Sequence, residues 1–212
     1  MYRFFYSLLL FSFLLSSCAE KETNNVVSQD LAKTLPTIPS FDIPNDSIEL
    51  SELTFDKKIS IWTYKNKRYS GYGITRYENG YLKEKTGFKD GRKENESIHY
   101  YPDGHYKRYS NYHKGKLHGE KKSWSSASPH ILIAHYNYYL GKAHGVQKQW
   151  YVTGELYKSI NLNMGKEEGM QRAYRKNGVL YANYEAKNGR IFGLKKSKLC
   201  FNLEDEEVIY VE

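Results

Sequence analysis

Glycine recurs along this chain at a nearly fixed spacing, and that spacing constrains the fold more than any single motif. Gly91-Arg92, Gly115-Lys116, Gly141-Lys142, Gly165-Lys166 and Gly189-Arg190 stand 24, 26, 24 and 24 residues apart. One period back from Gly91 lies Lys67, where the glycine itself is missing. Four residues after each start come Gly71, Asn95, Gly119, Gly145, Gly169 and Gly193. Aromatic residues follow at Tyr77, Tyr100-Tyr101, Trp124, Trp150-Tyr151 and Tyr174. The dipeptides Asn79-Gly80, Asp103-Gly104, Thr153-Gly154 and Asn177-Gly178 then hold a constant phase. In the third unit Ser125 to Pro129 replaces that dipeptide and accounts for the two extra residues. The sixth unit lacks it and reads as a terminal cap. A period of this length is the mark of a repeat architecture.

Two turns per unit leave two strands of about eight to ten residues each. The expected fold is therefore all-β: a repetitive antiparallel β-meander of about six hairpin repeats, roughly twelve strands in all. Asn-Gly and Asp-Gly are expected in type I′ turns, whose twist matches paired strands. The second strand of each unit alternates with period two. One face carries Leu82, Thr86 and Phe88, then Tyr106 and Tyr112, then Leu132, Ala134, Tyr136 and Tyr138. Leu156, Ile160, Leu162, Leu180, Ala182 and Tyr184 continue it, and this face is expected to be buried or self-stacked. The other carries Lys83, Lys85, Lys89, Lys107, Tyr109, His113, His135, Tyr139, Tyr157 and Tyr181. It is expected to be wet, basic and dotted with rings.

Mean hydropathy is -0.74 and 40% of residues are hydrophobic, which excludes a polytopic membrane protein. With 21 tyrosines, wholesale disorder is excluded as well. Tyrosine suits a thin sheet because it buries a ring while its hydroxyl stays wet.

The N-terminus carries a separate message. Arg3 precedes an apolar run, Phe4 to Leu15, too short to cross a bilayer as a helix, which takes about 20 apolar residues. A basic start and a short apolar run make a secretory signal. Leu15-Ser16-Ser17-Cys18 resembles the bacterial lipobox. That resemblance implies cleavage before Cys18 and acylation of Cys18 as a durable membrane anchor. Ala19-Glu20, without an aspartate after the cysteine, is similar to outer-membrane sorting, with the folded part facing the periplasm or the cell surface. The expected organisation is a lipoprotein signal over 1–17, the lipidated Cys18 and an acidic disordered tether over 18–56, and the β-repeat domain over 57–212. Residues Ile48 to Phe55 are expected to form a short strand or helical turn, and Val208 to Val211 a terminal strand. Cys200 has no partner for a disulfide and reads as a buried structural thiol.

Charge is segregated along the same boundaries. The net charge is -6 over residues 19–56, +18 over 57–202 and -5 over 203–212. A concentrated basic domain attracts acidic partners: lipid headgroups, acidic glycan or an acidic protein. Basic residues interleaved with rings also suit single-stranded nucleic acid, but an exported protein does not meet it.

Gly115-Lys116-Leu117-His118-Gly119 and Gly141-Lys142-Ala143-His144-Gly145 with Trp150-Tyr151 resemble the bacterial variant of MORN repeats, including the YwqK antitoxin-like family. The resemblance spans about Lys67 to Gly193. It implies a stacked β-repeat that acts as a scaffold, a phospholipid binder or part of a toxin–antitoxin pair.

No catalytic signature emerges. Gly71-Tyr72-Gly73 lacks the strand-to-helix context of a nucleotide loop, and no Gly-x-Ser-x-Gly elbow is present. His118 and His144 occupy equivalent positions, about 9.5 Å apart across two strand spacings. Zinc holds its ligands at about 2 Å, so the pair is expected to be structural, and neither a metal nor a cofactor is expected. The chain reads as a non-catalytic lipoprotein presenting its repeat as an interaction surface, with Lys83, Lys107, Tyr109, Tyr139, Tyr157 and Tyr181 as the contact face. An antitoxin-like or immunity protein neutralising one partner is the second reading. A hydrolase is the third, and it requires a carboxylate pair or a His–Asp pair in a concave pocket.

Overall fold

The computed structural model describes Ile38 and residues 41–194. The signal, Cys18, Cys200 and the expected strand Val208 to Val211 lie outside the described residues. The chain opens with β1 (Ser47–Glu49), a single 3-10 turn (Leu50–Glu52), β2 (Thr54–Asp56), β3 (Ile61–Tyr64), β4 (Lys67–Arg68) and β5 (Gly71–Arg76). There follow β6 (Leu82–Lys89), β7 (Arg92–Tyr100), β8 (Tyr106–His113), β9 (Lys116–Trp124), β10 (Leu132–Tyr139) and β11 (Lys142–Ala143). Then come β12 (Gly145–Trp150), β13 (Leu156–Asn163), β14 (Lys166–Tyr174), β15 (Leu180–Lys187) and β16 (Arg190–Leu194). No α-helix occurs among the described residues.

Strands β5 to β16 pair in chain order as an antiparallel meander, with the two-residue β11 attached to β10 alone. The fold expected from two turns per unit is the fold observed. β1 adds a parallel edge to β5, and β2, β3 and β4 form a separate small sheet.

The turn chemistry is the reverse of the expectation. At Asp90-Gly91, φ is 49° and 76°, and Lys89 pairs directly with Arg92. Two consecutive positive φ values in a two-residue loop make a type I′ turn. The same pattern recurs at Lys114, Leu140, Met164 and Asn188, each before its glycine. The Asn-Gly series instead builds three-residue loops. Gly80 N donates to Tyr77 O and Tyr77 N to Tyr81 O, both at 2.9 Å, while Asn79 is absent from the positive-φ positions. That is a type I turn followed by a left-handed glycine. The asparagine does a different job there: its Oδ1 accepts from Tyr81 N at 3.1 Å.

Two kinds of β-bulge recur along the sheet. One follows the type I′ turn, where Asn95, Gly119 and Gly169 add residues opposite a single partner. The other inserts one unpaired residue near the start of the second strand: Lys83, Lys107, Ile133, Tyr157 and Tyr181. Bulges re-aim side chains and increase twist.

Both edges of the sheet tie each unit to the next. Gly115 N donates to Lys93 O, Gly141 N to Leu117 O and Gly165 N to Ala143 O, at 2.7–2.8 Å. At the opposite edge Tyr77, Tyr101 and Tyr151 donate their hydroxyls to the carbonyls of Tyr100, Trp124 and Tyr174 at 2.8–3.0 Å. These hydroxyls are not wet, as the composition suggested, because the backbone at the end of the next unit presents a carbonyl in reach.

Among the described residues the packed hydrophobic cluster lies at the N-terminal end of the sheet. Phe88 is fully buried, with Leu53 and Tyr69, against Ile48, Leu50, Trp62 and Tyr64. The folded part therefore begins before Lys57: residues Ile48 to Phe55, expected as a short strand or helical turn, contribute both, together with buried Leu53. The boundary at 57 was set by acidic charge and prolines, which do not register that Ile48, Leu50 and Leu53 cover a sheet end. Elsewhere, among the described residues, the sheet is a single layer. Thr86, Phe88, Ala134, Ala182 and Tyr184 of the expected buried face are buried, but Tyr106 is 49% and Leu180 41% exposed. Among the described residues no second layer covers them. On the expected wet face, His113 is buried because Phe41 stacks on it at 5.5 Å.

The type I′ glycines provide an internal control. A Cβ on Gly91 would lie 2.6 Å from both Ile61 Cγ2 and Trp62 O, whereas one on Gly165 would meet nothing within 4 Å. Gly165→Ala is expected to cost about 1–2 kcal/mol for its left-handed conformation alone. Gly91→Ala is expected to cost clearly more in urea unfolding; equal losses would contradict this end packing.

Candidate functional site

The six residues expected to form the contact face do not make one patch. Lys83, Lys107, Tyr157 and Tyr181 are bulge residues along the three-residue-loop edge. Lys83 Nζ sits 5.7 Å from the Tyr77 ring centroid, and Lys107 Nζ 5.6 Å from that of Tyr101. The Tyr157 ring lies 5.1 Å from Tyr151. Burial first, then a hydrogen bond with Tyr157, pushes the Tyr181 phenol upward. Tyr109 stands mid-strand and donates to Asn111 Oδ1 at 3.1 Å. Tyr139 is at the far edge, its ring 5.3 Å from His118 and 6.4 Å from His144. The rings of those two histidines are thus separated by a tyrosine, in keeping with a structural role.

The register reveals a different line. Lys85 pairs with Ile98, Ile98 with Tyr109, Tyr109 with Lys122 and Lys122 with His135. His135 pairs with Lys148, Lys148 with Ser159 and Ser159 with Arg172. Directly opposed residues share a face, so these form one row across the sheet. Lys122, Lys148 and Arg172 recur every second strand, about 9.5 Å apart. Glu96 pairs with Lys85 at 3.1 Å and Glu120 with Lys122 at 2.7 Å. The Lys122 hydrogen bond, above all, holds the Glu120 carboxyl below its ordinary value. His135 Nε2 is 3.0 Å from Glu120 but misaligned for a hydrogen bond, and burial holds its imidazole low. Among the described residues Lys148 and Arg172 make no ion pair. The positive potential of this face is therefore least neutralised over β12 to β14.

Beside the row runs a column of rings: Phe41, His113, His118, Tyr139 and His144. Buried Glu94 anchors it, accepting from His113 Nδ1 and Lys114 N, both at 2.8 Å. His118 Nδ1 and His144 Nε2 are buried without a partner among the described residues. Burial, then neighbouring His113, lowers the His118 imidazole, which keeps that ring neutral.

The irregular loop of the third unit makes the remaining feature. Ser125 to Pro129, with Tyr101, Trp124, Ile131 and Val152, lines a cleft of about 630 Å³. At the end of this loop His130 Nδ1 contacts Ser125 O at 2.8 Å and His130 Nε2 contacts Asp103 Oδ2 at 2.7 Å. A carbonyl and a carboxylate only accept, so both ring nitrogens donate. The Ser125 carbonyl foremost, then Asp103, raises the His130 imidazole, and His130 foremost lowers the Asp103 carboxyl. A ring protonated on both nitrogens offers no lone pair to a substrate proton. Neither Asp103 nor His130 lines the cleft, so this pair does not supply the base that a hydrolase there needs. His105 joins the pair, its Nδ1 3.4 Å from Asp103 Oδ1.

The sequence reading missed this cluster because it compared histidines at equivalent repeat positions only. The available signal was turn stacking. Asp103-Gly104-His105 and Ser125 to His130 occupy neighbouring turns at the same edge. No family model, curated protein or solved structure matches the chain.

Proposed function

We propose that this protein is a non-catalytic lipoprotein of the cell envelope, anchored through Cys18, that presents a MORN-like β-repeat as a docking surface for an acidic ligand. The resemblance of residues 67–193 to bacterial MORN-variant repeats and of residues 15–18 to a lipobox supports the class and the compartment. One observation carries the ligand chemistry: the in-register row in which Lys85, Lys122, Lys148 and Arg172 share a face with Tyr109 and His135. Cations spaced at two-strand intervals suit a polymer or surface with repeated phosphate, sulfate or carboxylate groups. Their long stems and the ring of Tyr109 add apolar contact. Of the residues first expected to bind, Tyr109 lies in the row, and Tyr157 and Tyr181 flank its less neutralised end.

The attraction is long-range and screenable. The Debye length shrinks from ~30 Å at 0.01 M salt to ~8 Å at 0.15 M. Full-length protein in neutral detergent is expected to bind an acidic glycan at low salt. Its affinity should fall by about tenfold or more across that range. Salt-independent retention, or none at any ionic strength, would overturn the proposal.

A further inference from the structure

We propose that Asp103, His105 and His130 form a site for a divalent transition-metal ion of the zinc class, which clips the third unit's loop to the turn before it. One ligand atom from each residue lies within 4.8 Å of the others. A tetrahedral ion with bonds of about 2.0–2.2 Å needs its ligand atoms roughly 3.4 Å apart. The 2.7 Å contact between Asp103 Oδ2 and His130 Nε2 has to open slightly, and His105 Nδ1, now 3.4 Å from the other oxygen, Oδ1, has to turn toward Oδ2. Asp103 and His105 are exposed at a turn and have room to make that adjustment.

The second observation is the way His130 is held. Its Nδ1 donates to the Ser125 carbonyl, and Tyr101 stacks on its ring at 5.0 Å and 17°. Metal-ligating histidines commonly donate their other ring N–H to a backbone carbonyl, which aims the remaining nitrogen at the ion. Here that nitrogen is Nε2, directed at Asp103. On binding, the ion takes the place of the Nε2 proton, which passes to solvent. The His105 ring stands 4.5 Å from that of His130.

Two imidazoles and one carboxylate select a borderline ion such as zinc over calcium or magnesium, which favour oxygen donors. Three protein ligands leave a tetrahedral ion one open position. Because Asp103 and His105 face solvent, that position is available to an oxygen or imidazole of a partner. The site is specific to this unit. The equivalent turns read Asn79-Gly80-Tyr81 and Asn177-Gly178-Val179, without a second histidine opposite.

Those turns also supply variants compatible with the fold. Asp103→Asn and His105→Tyr each install a residue that another unit carries at the same turn position. The test uses the full chain in detergent, purified without a histidine tag, stripped with a chelator and titrated with zinc by calorimetry. The expected result is one zinc per chain, with magnesium and calcium failing to compete. Each variant should bind at least about 100-fold more weakly, since even outer partners of a metal ligand are worth roughly 10- to 100-fold. Thermal midpoints of the zinc-free proteins, measured alongside, should agree and so exclude unfolding. Absence of saturable one-to-one binding, or affinity that survives both substitutions within tenfold, would overturn the proposal.

Discussion

Truncating Phe88 to alanine is expected to cost about 3–5 kcal/mol, the range for emptying a fully buried phenylalanine site. Phe88 has no exposed surface, and its ring packs 5.6 Å from Trp62 and 6.0 Å from Tyr69. Leu50 and Leu53 reach the same point: a Cβ built on neighbouring Gly73 would sit 2.6 Å from Leu50 Cδ1, 3.0 Å from Phe88 Cε2 and 3.4 Å from Leu53 Cδ1. The site draws on the main sheet, the 3-10 turn and the small sheet, so its loss weakens all three at once. Urea unfolding followed by fluorescence, with Trp62 beside the cavity, reads the effect. A loss below about 1 kcal/mol would place Phe88 among surface substitutions and contradict a packed end.

The second large effect is expected at Glu94. Its carboxylate is almost wholly buried and satisfies two donors, His113 Nδ1 and Lys114 N. Glu94→Ala leaves both donors without a partner, at about 1–3 kcal/mol each, and loosens the ring on which Phe41 stacks. A total loss of about 3 kcal/mol or more is expected, and Glu94→Gln, which keeps one acceptor, should lose less. Equal losses for the two variants in urea titration would show that the acceptor at this position does not matter.

Legibility in the sequence followed the physics of each feature. The hairpin period was readable because glycine is the least strained residue at a positive φ, and five of the six units place one at the same turn position. Turn type was not readable from the Asn-Gly dipeptide. The same two residues serve a type I turn with a left-handed glycine when the asparagine side chain accepts from the backbone two residues on. Period-two alternation along a single strand does not register where bulges fall. Lys83 and Tyr157 alternate correctly along their own strands, yet both are the unpaired residue opposite a shorter partner. A register row spanning eight strands, such as Lys85 to Arg172, depends on where every bulge falls, and single-strand periodicity carries no such information. The Asp103, His105 and His130 cluster depends on an irregular loop folding back over the preceding turn.

Charge reversal on opposite faces tests the account most directly. Lys148 and Arg172 lie in the basic row, whereas Lys158, on β13 between them, pairs with Gln149 and Ala173 on the other face of the sheet. All three have similar charge and neighbouring positions, so net charge alone does not distinguish them. Binding of the full chain to an acidic glycan at low salt should be lost in Lys148→Glu and Arg172→Glu and largely kept in Lys158→Glu. Equal losses from both faces would mean that the sheet attracts acids only through its total charge, and the ordered row would have no part in recognition.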